Sequence, residues 1–451
     1  MSFFFCGIGG SGMSALAQYL EHCGECVLGS DRGFDRGQSL ALQNKLKSQG
    51  ITLCPQDGSG IDSETILVVS TAIEDSIPDV KQAKELGRPI IHRAKVLADY
   101  FNLQAGIAVA GTSGKSSTTA LVGHVLHELG LSPTVINGAI MPGFVTEKLV
   151  GNCLLGNSEL MVVEADESDG SLVNYRPQIG VITNISKDHM TLEELYELFS
   201  KFAAHSQRLI LNLDCELIQN VKIPSTKEVF TFSTTDPTAN LYVESIEKTT
   251  KGVAFSINQT TFELPMVGLH NVENALVAIS VALILGHRLN ELVPALASFK
   301  GIDRRMQWIG ESRGVRVIDD FAHNPDKIRA VLQAVKQENG RTIVFFQPHG
   351  FKPVKFLKNE FIESFHQNTT ADDIIIMSEI FYAGGSADRS ISSRVLTDEL
   401  VRLGRNAIYC ELRSEVASQI SALAKPGDTV LLLGARDPSL KAFAREVFEK
   451  I

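Results

Sequence analysis

The sequence predicts a mixed α/β protein whose sheets are mainly parallel. Short apolar runs alternate with amphipathic stretches of helix length along most of the 451 residues, which is typical of β-α-β units. Glycine-rich turns at residues 7–12 and 111–114 each follow an apolar run and open a helix-like stretch. Because the alternation restarts near residues 104 and 314, we predict three α/β domains, over residues 1–103, 104–311 and 312–451.

The composition is that of an ordinary globular protein. Hydrophobic residues make up 44% of the chain and the formal net charge is −10, so each domain can bury a core and no basic surface for nucleic acid is expected. No apolar run reaches the length of a membrane span, and the first residues do not resemble a signal peptide. The seven cysteines are widely spread and odd in number, which does not suggest a disulfide framework. We therefore expect a cytoplasmic protein without nucleic-acid or membrane partners.

Each domain is expected to contribute its own strands and helices. In the first, strands are predicted at FFF (3–5), CVLGSD (26–31) and ILVVST (66–71), with helices near 11–23, 39–50 and 78–87, and PIIHRAKVLADYF follows. In the second, strands are predicted near 106–110, 160–166, 179–186 and 208–214, antiparallel hairpins over 228–264, and an apolar helix over 270–286. In the third, five strands are predicted, at VRVIDDFA, TIVFFQP, DDIIIMSEI, AIYCEL and TVLLLGA.

The first glycine-rich turn has the spacing of a dinucleotide-binding loop. Gly7, Gly9 and Gly12 form G-x-G-x-x-G between a predicted strand and a helix, and Asp31 follows a second strand 19 residues later. By itself this fingerprint favours an NAD-dependent dehydrogenase. What the spacing indicates directly is a tight turn that directs a helix N-terminus at a phosphate.

The second turn, GTSGKSS, departs from a strict phosphate-binding loop, because Val109 stands where the first glycine is expected. Its chemistry still favours phosphate binding. Backbone N–H groups can face a phosphate, Lys115 adds a positive charge, and Ser116 can bind Mg²⁺. A glycine-rich turn with a solvated lysine is the structural alternative, which we consider weaker.

Acidic residues follow a predicted neighbouring strand. Glu164 comes directly after the apolar run MVV, where carboxyl ends of strands line the ligand crevice of such folds, so we predict a metal ligand there. A solvated acidic loop explains Glu167 and Asp169 adequately. His189 follows the next strand, and local evidence divides evenly between a ligand and a surface residue.

Eight motifs now stand in one order along the chain: GIGGSGMSALA, GTSGKSSTTA, VVEADESDGSL, TNISKDHM, GLHNVENALVAI, RRMQWIG, DDFAHNP and FQPHG. Together they resemble the Mur ligases over essentially all 451 residues, and within that family the branch that joins L-alanine to UDP-N-acetylmuramate. The resemblance implies a Rossmann-like N-terminal domain for the UDP-sugar, a central P-loop-type ATPase domain, and a Rossmann-like C-terminal domain.

The resemblance also implies the reaction, which uses ATP and Mg²⁺. The carboxylate of a UDP-N-acetylmuramate-like nucleotide sugar attacks the γ-phosphate, an acyl phosphate forms, and the amino group of an amino acid or short peptide displaces phosphate. Such an enzyme would act in peptidoglycan synthesis. We expect a monomer or a weak homodimer.

Roles pass by resemblance to residues at matching positions. Catalytic roles are implied for Lys115, His189 and His349. ATP binding is implied for Gly111, Thr112, Ser113, Gly114, Lys115, Ser116, Ser117, Asn271, Asn274, Arg305, Asp320 (or its neighbour Asp319), His323 and Asn324. UDP-sugar binding is implied for Gly9, Gly10, Ser11, Gly12, Met13, Asp31, Ser70 and Thr71. Metal binding is implied for Ser116, Glu164 and His189.

Several positions depart from the family pattern. Ser113 replaces a histidine, Ser116 a threonine, Asn324 the second of two histidines, and residues 350–353 a basic segment after QPH. Lys201 is only a loose positional candidate for the carbamylated lysine of some sister ligases. The acceptor therefore stays open. The alternatives are a murein-peptide recycling ligase that attaches a peptide, an NAD-dependent dehydrogenase, and a catalytically silent nucleotide-binding relative.

Overall fold

A computed structural model describes residues 1–187, 190–249, 252–336, 340–382, 389–437 and 439–451. These residues form two compact units. The first comprises Met1–Pro265 and Leu269–Asp303, and the second comprises Met266–Gly268 and Arg304–Ile451. The domain boundaries at residues 103 and 312 stay predictions.

The first unit begins with a five-stranded sheet in which every pairing is parallel. Its strands are β1 (Ser2–Cys6), β2 (Cys26–Ser30), β3 (Thr52–Cys54), β4 (Thr65–Val69) and β5 (Ile90–His92), in the order β3-β2-β1-β4-β5. Its helices are α1 (Ser11–His22), α2 (Arg32–Asp35), α3 (Leu40–Ser48), α4 (Pro78–Glu85) and α5 (Arg93–Phe101). The predicted alternation was correct here except that β3 and α2 were missed. The strand order reverses direction between β1 and β4, so the turn after β1 lies at the crevice where such sheets bind ligands.

An eight-stranded sheet follows in the same unit. Its strands are β6 (Ala105–Ala110), β7 (Thr134–Ile136), β8 (Cys153–Leu154), β9 (Leu160–Glu164), β10 (Ile179–Ile182), β11 (Arg208–Asn212), β12 (Glu228–Ser233) and β13 (Leu241–Tyr242), in the order β13-β12-β11-β10-β6-β9-β7-β8. Only β8 runs antiparallel to its neighbour. Its helices are α6 (Lys115–Glu128), α7 (Leu192–His205), α8 (Leu269–Ile284) and α9 (Leu289–Ala297), with 3-10 turns at Pro142–Phe144, Ser171–Asn174 and Glu216–Asn220. Because β6 lies between β9 and β10, the carboxyl ends of these three strands meet around the second glycine-rich turn.

The prediction of antiparallel hairpins over residues 228–264 was wrong for its first part. Strand β12 pairs in parallel with β11, and β13 pairs in parallel with β12. Only β14 (Ser245–Lys248), β15 (Val253–Ile257) and β16 (Thr260–Leu264) form an antiparallel sheet. The buried Phe232 of β12 explains the error, because β-branched and aromatic residues suit a covered parallel strand as well as a hairpin.

One hydrophobic core joins the two large sheets of the first unit. Buried side chains from both form a single contiguous cluster, from Phe5 and Val68 in the first sheet to Val163 and Ile182 in the second. Phe101, at the end of α5, makes an edge-to-face contact with Tyr175, their ring centroids being 5.3 Å apart. Apolar packing therefore holds the turns after β1 and β6 in one body.

The second unit is a six-stranded sheet with helices. Its strands are β17 (Gln307–Ser312), β18 (Val315–Asp320), β19 (Thr342–Gln347), β20 (Ile374–Ser378), β21 (Asn406–Cys410) and β22 (Thr429–Gly434), in the order β17-β18-β22-β19-β20-β21. Its helices are α10 (Pro325–Val335), α11 (Phe351–Phe356), α12 (Lys358–Asn368), α13 (Arg394–Arg402), α14 (Arg413–Leu423) and α15 (Leu440–Lys450). The five predicted strands are all present, and the antiparallel edge strand β17 was missed.

The mixed α/β class predicted from the sequence is thus confirmed. Across the described residues, no helix is long and apolar enough to cross a membrane.

Candidate functional site

The first glycine-rich turn connects β1 to the N-terminus of α1. Gly10 is the N-cap of α1, and Ser11 is exposed in its first turn. A Cβ atom at Gly9 would lie 2.8 Å from Asp31 Oδ2, and one at Gly12 would lie 2.9 Å from Arg93 Nη1. A larger residue at Gly9 would press on the Asp31 carboxylate, and one at Gly12 would displace the end of the Arg93 side chain. Free backbone at a helix N-terminus makes this turn suited to an anion.

Asp31 supports this turn instead of projecting from it. Its Oδ2 accepts a hydrogen bond from Gly9 N at 3.1 Å, and its Oδ1 accepts one from Gly33 N at 2.7 Å, which caps α2. Ser70 and Thr71 follow β4 at the same sheet edge, half-buried and exposed respectively. The side chain of Met13 is buried in the hydrophobic cluster. The ligand roles of these residues stay predictions.

The second glycine-rich turn is held from beneath by the end of β10. A Cβ atom at Gly111, whose φ is +142°, would collide with Thr183 Oγ1. Asn184 Oδ1 accepts hydrogen bonds from Ser113 N at 2.9 Å and from Thr112 Oγ1 at 3.0 Å, while Asn184 Nδ2 donates to Ser113 O. The turn is therefore preorganised, and Ser113 and Gly114 at its tip are exposed.

Lys115 lies among carboxylates at the start of α6. Its Nζ donates to Glu167 Oε2 at 2.6 Å and to Gly111 O at 2.9 Å, and lies 3.6 Å from Asp166 Oδ1. Burial alone would lower the pKa of Lys115, but the carboxylates of Glu167, Asp166 and Glu164 outweigh burial and raise that pKa. The side chain is therefore a fixed positive charge beside the turn.

Ser116 meets the carboxylate predicted as a metal ligand. Its Oγ donates to Glu164 at 2.9 Å and 3.0 Å from the two carboxylate oxygens, and Gly138 N donates to Glu164 Oε2 at 2.7 Å. Asn137 Nδ2 donates to Ser116 O at 3.1 Å. The sequence prediction therefore placed Ser116 and Glu164 together, and it missed the 137–138 segment that holds both.

The start of α8 lies against the start of α6. Asn274 Oδ1 accepts a hydrogen bond from Thr118 Oγ1 at 2.8 Å, and Asn274 Nδ2 donates to Asn271 Oδ1 at 3.2 Å. Both asparagines are buried. A Cβ atom at Gly114 would lie 3.1 Å from Asn274 Oδ1, so the two asparagines of HNVEN lie beside the turn. Ser117 is half-buried nearby in α6.

The interpretation of Glu167 and Asp169 as a solvated acidic loop was wrong. Glu167 is 4% exposed and pairs with Lys115, and the side chain of Asp169 is 11% exposed and lies 3.8 Å from His92 Nδ1. No local pattern in the sequence signalled this burial, because the partners, Lys115 and His92, lie far away in the chain. His189 lies outside the described residues. Within those residues, no group of three or more His, Cys, Asp and Glu side chains could hold a metal ion. Lys201 is exposed on α7 and pairs with Glu197.

In the second unit, two adjacent aspartates end strand β18 and have different partners. Asp319 pairs with Arg304, at 3.0 Å from Nε to Oδ2. Asp320 accepts hydrogen bonds from Met306 N and Ala322 N, each at 2.7 Å, and burial raises its pKa. Arg305 lies over the ring of Phe321, with Cζ 5.2 Å from the centroid.

Two histidines of the second unit lie side by side. The ring centroids of His323 and His349 are 5.3 Å apart. Burial lowers the pKa of His323 to about 4, and burial together with the charge of Arg436 lowers the pKa of His349 to about 4, so both are neutral near pH 7. His349 Nδ1 is buried and has no hydrogen-bond partner among the described residues. Asn324 caps α10 by accepting from Lys327 N at 2.9 Å.

Family models match most of the chain. Three family models match: "Mur ligase family, catalytic domain" over residues 3–105, "Mur ligase middle domain" over 109–282, and "Mur ligase, glutamate ligase domain" over 304–436. Two curated relatives named UDP-N-acetylmuramate–L-alanine ligase come from Nostoc sp. and Desulfotalea psychrophila. They are 34% and 35% identical, and each match covers 96% of this chain and 93% or 94% of the relative.

A solved structure of a similar protein has the same fold. The UDP-N-acetylmuramate–alanine ligase of Thermotoga maritima superposes with a TM-score of 0.81 at 27% identity, covering 100% of this chain and 99% of that one. A murein peptide ligase from Psychrobacter arcticus shares the fold, with a TM-score of 0.70 at 21% identity. The chain belongs to the Mur ligase family.

Proposed function

We propose that this chain is an ATP-dependent ligase that joins L-alanine to the carboxylate of UDP-N-acetylmuramate in peptidoglycan synthesis. The observation that carries the proposal is the pairing of Lys115 and Ser116, on one preorganised turn, with the carboxylates of Glu167 and Glu164. The names of curated relatives that match nearly the whole chain supply the two substrates. Because the chain belongs to the Mur ligases, the dehydrogenase alternative is set aside.

In this proposal, the second turn binds the β- and γ-phosphates of ATP. Backbone N–H groups at the start of α6 and the Lys115 ammonium face the phosphates and neutralise charge as the phosphoryl group is transferred. Asn271 and Asn274 would lie toward the adenine. The ATP-binding roles of Arg305, Asp320, His323 and Asn324, and the catalytic role of His349, stay predictions from the family resemblance.

The residues around Ser116 fit a magnesium ion. A serine hydroxyl and a carboxylate are hard oxygen donors, and Asn137 Oδ1, in the same segment that binds Glu164, is buried without a hydrogen-bond partner among the described residues. Ser116 and Glu164 would hold the ion, with His189 as the further ligand implied by the family. When bound, Mg²⁺ would offset the negative charge of the phosphates.

The reaction balances in two steps. A carboxylate oxygen of UDP-N-acetylmuramate forms a bond to the γ-phosphorus, and the bond to the β,γ-bridging oxygen breaks, which gives an acyl phosphate and ADP. The L-alanine amine then bonds to the acyl carbon, inorganic phosphate leaves, and the amine loses a proton. The first turn, with Ser11 and the N-terminus of α1, would bind the UDP pyrophosphate, while Gly9 N and Gly10 N hold the turn itself through Asp31 and Gly7 O.

The test is a mass measurement of product from purified protein with ATP, Mg²⁺, UDP-N-acetylmuramate and an equimolar mixture of L-alanine, glycine, L-serine and a murein tripeptide. We expect one product, heavier than the nucleotide sugar by L-alanine minus water, with one phosphate released per product. A tripeptide adduct instead would identify a recycling ligase, and no adduct with any acceptor would refute ligase activity. Location in the cytoplasm and the monomer or weak homodimer stay predictions.

A further inference from the structure

A buried polar network connects helix α1 to the segment before β8. Asn152 Nδ2 donates to Ser11 O at 2.7 Å and to Ser14 Oγ at 2.8 Å, and Asn152 Oδ1 accepts from Gln18 Nε2 at 3.0 Å. Asn152, Ser14 and Gln18 are each at most 1% exposed. Ser11 is the exposed first residue of the helix that follows the first glycine-rich turn.

The same asparagine reaches the second turn through its backbone. Asn152 O accepts a hydrogen bond from Asn137 N at 3.0 Å. Asn137, 1% exposed, donates through Nδ2 to Ser116 O at 3.1 Å. The next residue, Gly138, donates to Glu164 Oε2. An uninterrupted path of three hydrogen bonds therefore runs from Ser11 O to Ser116 O.

This path differs from apolar packing in how sharply it specifies the positions of the groups that it joins. Buried amides are costly unless their polar groups are paired, and Asn152 pairs both Nδ2 and Oδ1, so its side chain specifies position more sharply than apolar contacts do. Asn137 adds one bond through Nδ2, and its Oδ1 has no partner among the described residues. Both ends of the path are backbone carbonyls in the first turns of α1 and α6, the two helices whose N-termini follow the glycine-rich turns. Fixing these carbonyls fixes the separation of the turns.

We propose that Asn152 and Asn137 are positioning residues. They hold the first glycine-rich turn, which would bind the nucleotide sugar, and the second, which would bind ATP, at the separation that phosphoryl transfer needs. This inference rests on the proposed function, in which the carboxylate of one bound substrate must reach the γ-phosphate of the other. Neither asparagine needs to contact a substrate for this role. Misplacement of bound reactants by about 1 Å can lower a rate by ~100-fold.

The experiment measures kcat and the KM of each substrate for Asn152→Ala, Asn137→Ala and the double variant. We expect each single variant to lower kcat by about 10- to 100-fold, with each KM within about threefold of the wild-type value, because the turns still bind but no longer align. The double variant should be no more than about threefold slower than the worse single variant, since either substitution already interrupts the path.

Asn212→Ala is the matched control. Asn212 is also buried, 3% exposed, at the end of β11 in the same sheet, and its Oδ1 accepts a hydrogen bond from Asp214 N at 2.9 Å, within its own turn. We expect its kcat to stay within about twofold of the wild type. An equal fall in kcat for Asn212→Ala, or losses that multiply in the double variant, would overturn the positioning role, because the first shows no specificity for the path and the second shows no coupling along it.

A second readout does not depend on turnover. We expect UDP-N-acetylmuramate alone to slow amide hydrogen exchange over residues 111–118 of the wild type, and Asn152→Ser, the milder variant, to lose that protection while it still binds the nucleotide sugar. Protection that persists in Asn152→Ser would overturn the inference. A wild type that forms no product refutes the proposed function itself, whereas an active wild type with unchanged Asn152 variants refutes only the positioning role.

Discussion

The two glycine-rich turns share a backbone design and differ in what surrounds it. Each follows a buried parallel strand and opens a helix, and each contains glycines that a Cβ atom would push against a neighbour. At the first turn the nearby carboxylate, Asp31, is bonded to backbone N–H groups. At the second, the carboxylates of Glu164 and Glu167 are bonded to a hydroxyl and an ammonium. Glycine spacing therefore predicts a phosphate site at each turn, and the partners of the carboxylates distinguish the chemistry that we propose for the two turns.

The largest test of this comparison is Lys115→Ala. Removing the ammonium takes away the positive charge at the second turn and leaves Glu167 buried without its partner, so we expect phosphate release to fall by at least ~100-fold. Steady-state phosphate release measures the effect. Lys84→Ala serves as the control, because Lys84 is half exposed and forms its ion pair with the exposed Asp75. Activity within a few-fold of the wild type in Lys115→Ala would mean that this turn does not bind ATP.

The next test compares the serines of the two turns. Ser116→Ala removes the hydroxyl that meets Glu164, so we expect kcat to fall by about 10- to 100-fold and the Mg²⁺ concentration for half-maximal rate to rise. Ser11→Ala removes an exposed hydroxyl that would only bind the nucleotide sugar, so we expect a rise of about threefold in the KM for UDP-N-acetylmuramate. An equal Mg²⁺ concentration for half-maximal rate in the two variants would contradict the comparison.

Glu167→Gln tests the charge state of the second turn. In the wild type, Glu167 helps to raise the pKa of Lys115 against the effect of burial. Removing its charge lets burial act more strongly, so the pKa of Lys115 falls and the ammonium is lost at a lower pH. We expect the alkaline limb of the kcat/KM profile to move to lower pH, so that the variant loses activity before the wild type does as the pH rises. An alkaline limb at the same pH in both proteins would contradict this.

The smallest expected effect belongs to the first turn. Asp31→Asn keeps the shape of the side chain but leaves one acceptor oxygen, so one of the two bonds from Gly9 N and Gly33 N is lost. We expect a loss of about 1 kcal/mol in the free energy of unfolding and a rise of about threefold in the KM for UDP-N-acetylmuramate, with kcat unchanged. Denaturant titration and steady-state kinetics measure the two. A fall of tenfold or more in kcat would show that this carboxylate takes part in the chemistry.

Much of the fold was predictable because its signals are local. Apolar runs followed by glycine turns gave β1, β6 and their helices, and the family resemblance is confirmed. The strand β17 was missed because its residues QWIGES lie mostly at the surface, with an exposed Trp308. The parallel strands β12 and β13 were mistaken for a hairpin because composition does not reveal which strand is the neighbour.

The site was less predictable because its supporting contacts are long-range. Ser116 and Glu164 could be paired through a strand-end argument, but Asn137 and Asn152 carry no motif and act through backbone groups. The burial of Glu167 likewise depends on a lysine 52 residues away in the chain. No local pattern signals such pairings.

The pairs Lys115–Glu167 and Ser116–Glu164 have a consequence for how ligands enter. Lys115, which would bind a phosphate, and Ser116 and Glu164, which would bind a cation, already have protein partners, so we expect ligands to bind there by exchange of partners. A cation that draws Glu164 away from Ser116 lowers the negative charge near an incoming triphosphate. A phosphate that competes with Glu167 for Lys115 raises the negative charge that an incoming cation meets. We therefore expect ATP and magnesium to bind with positive cooperativity, each raising the affinity for the other.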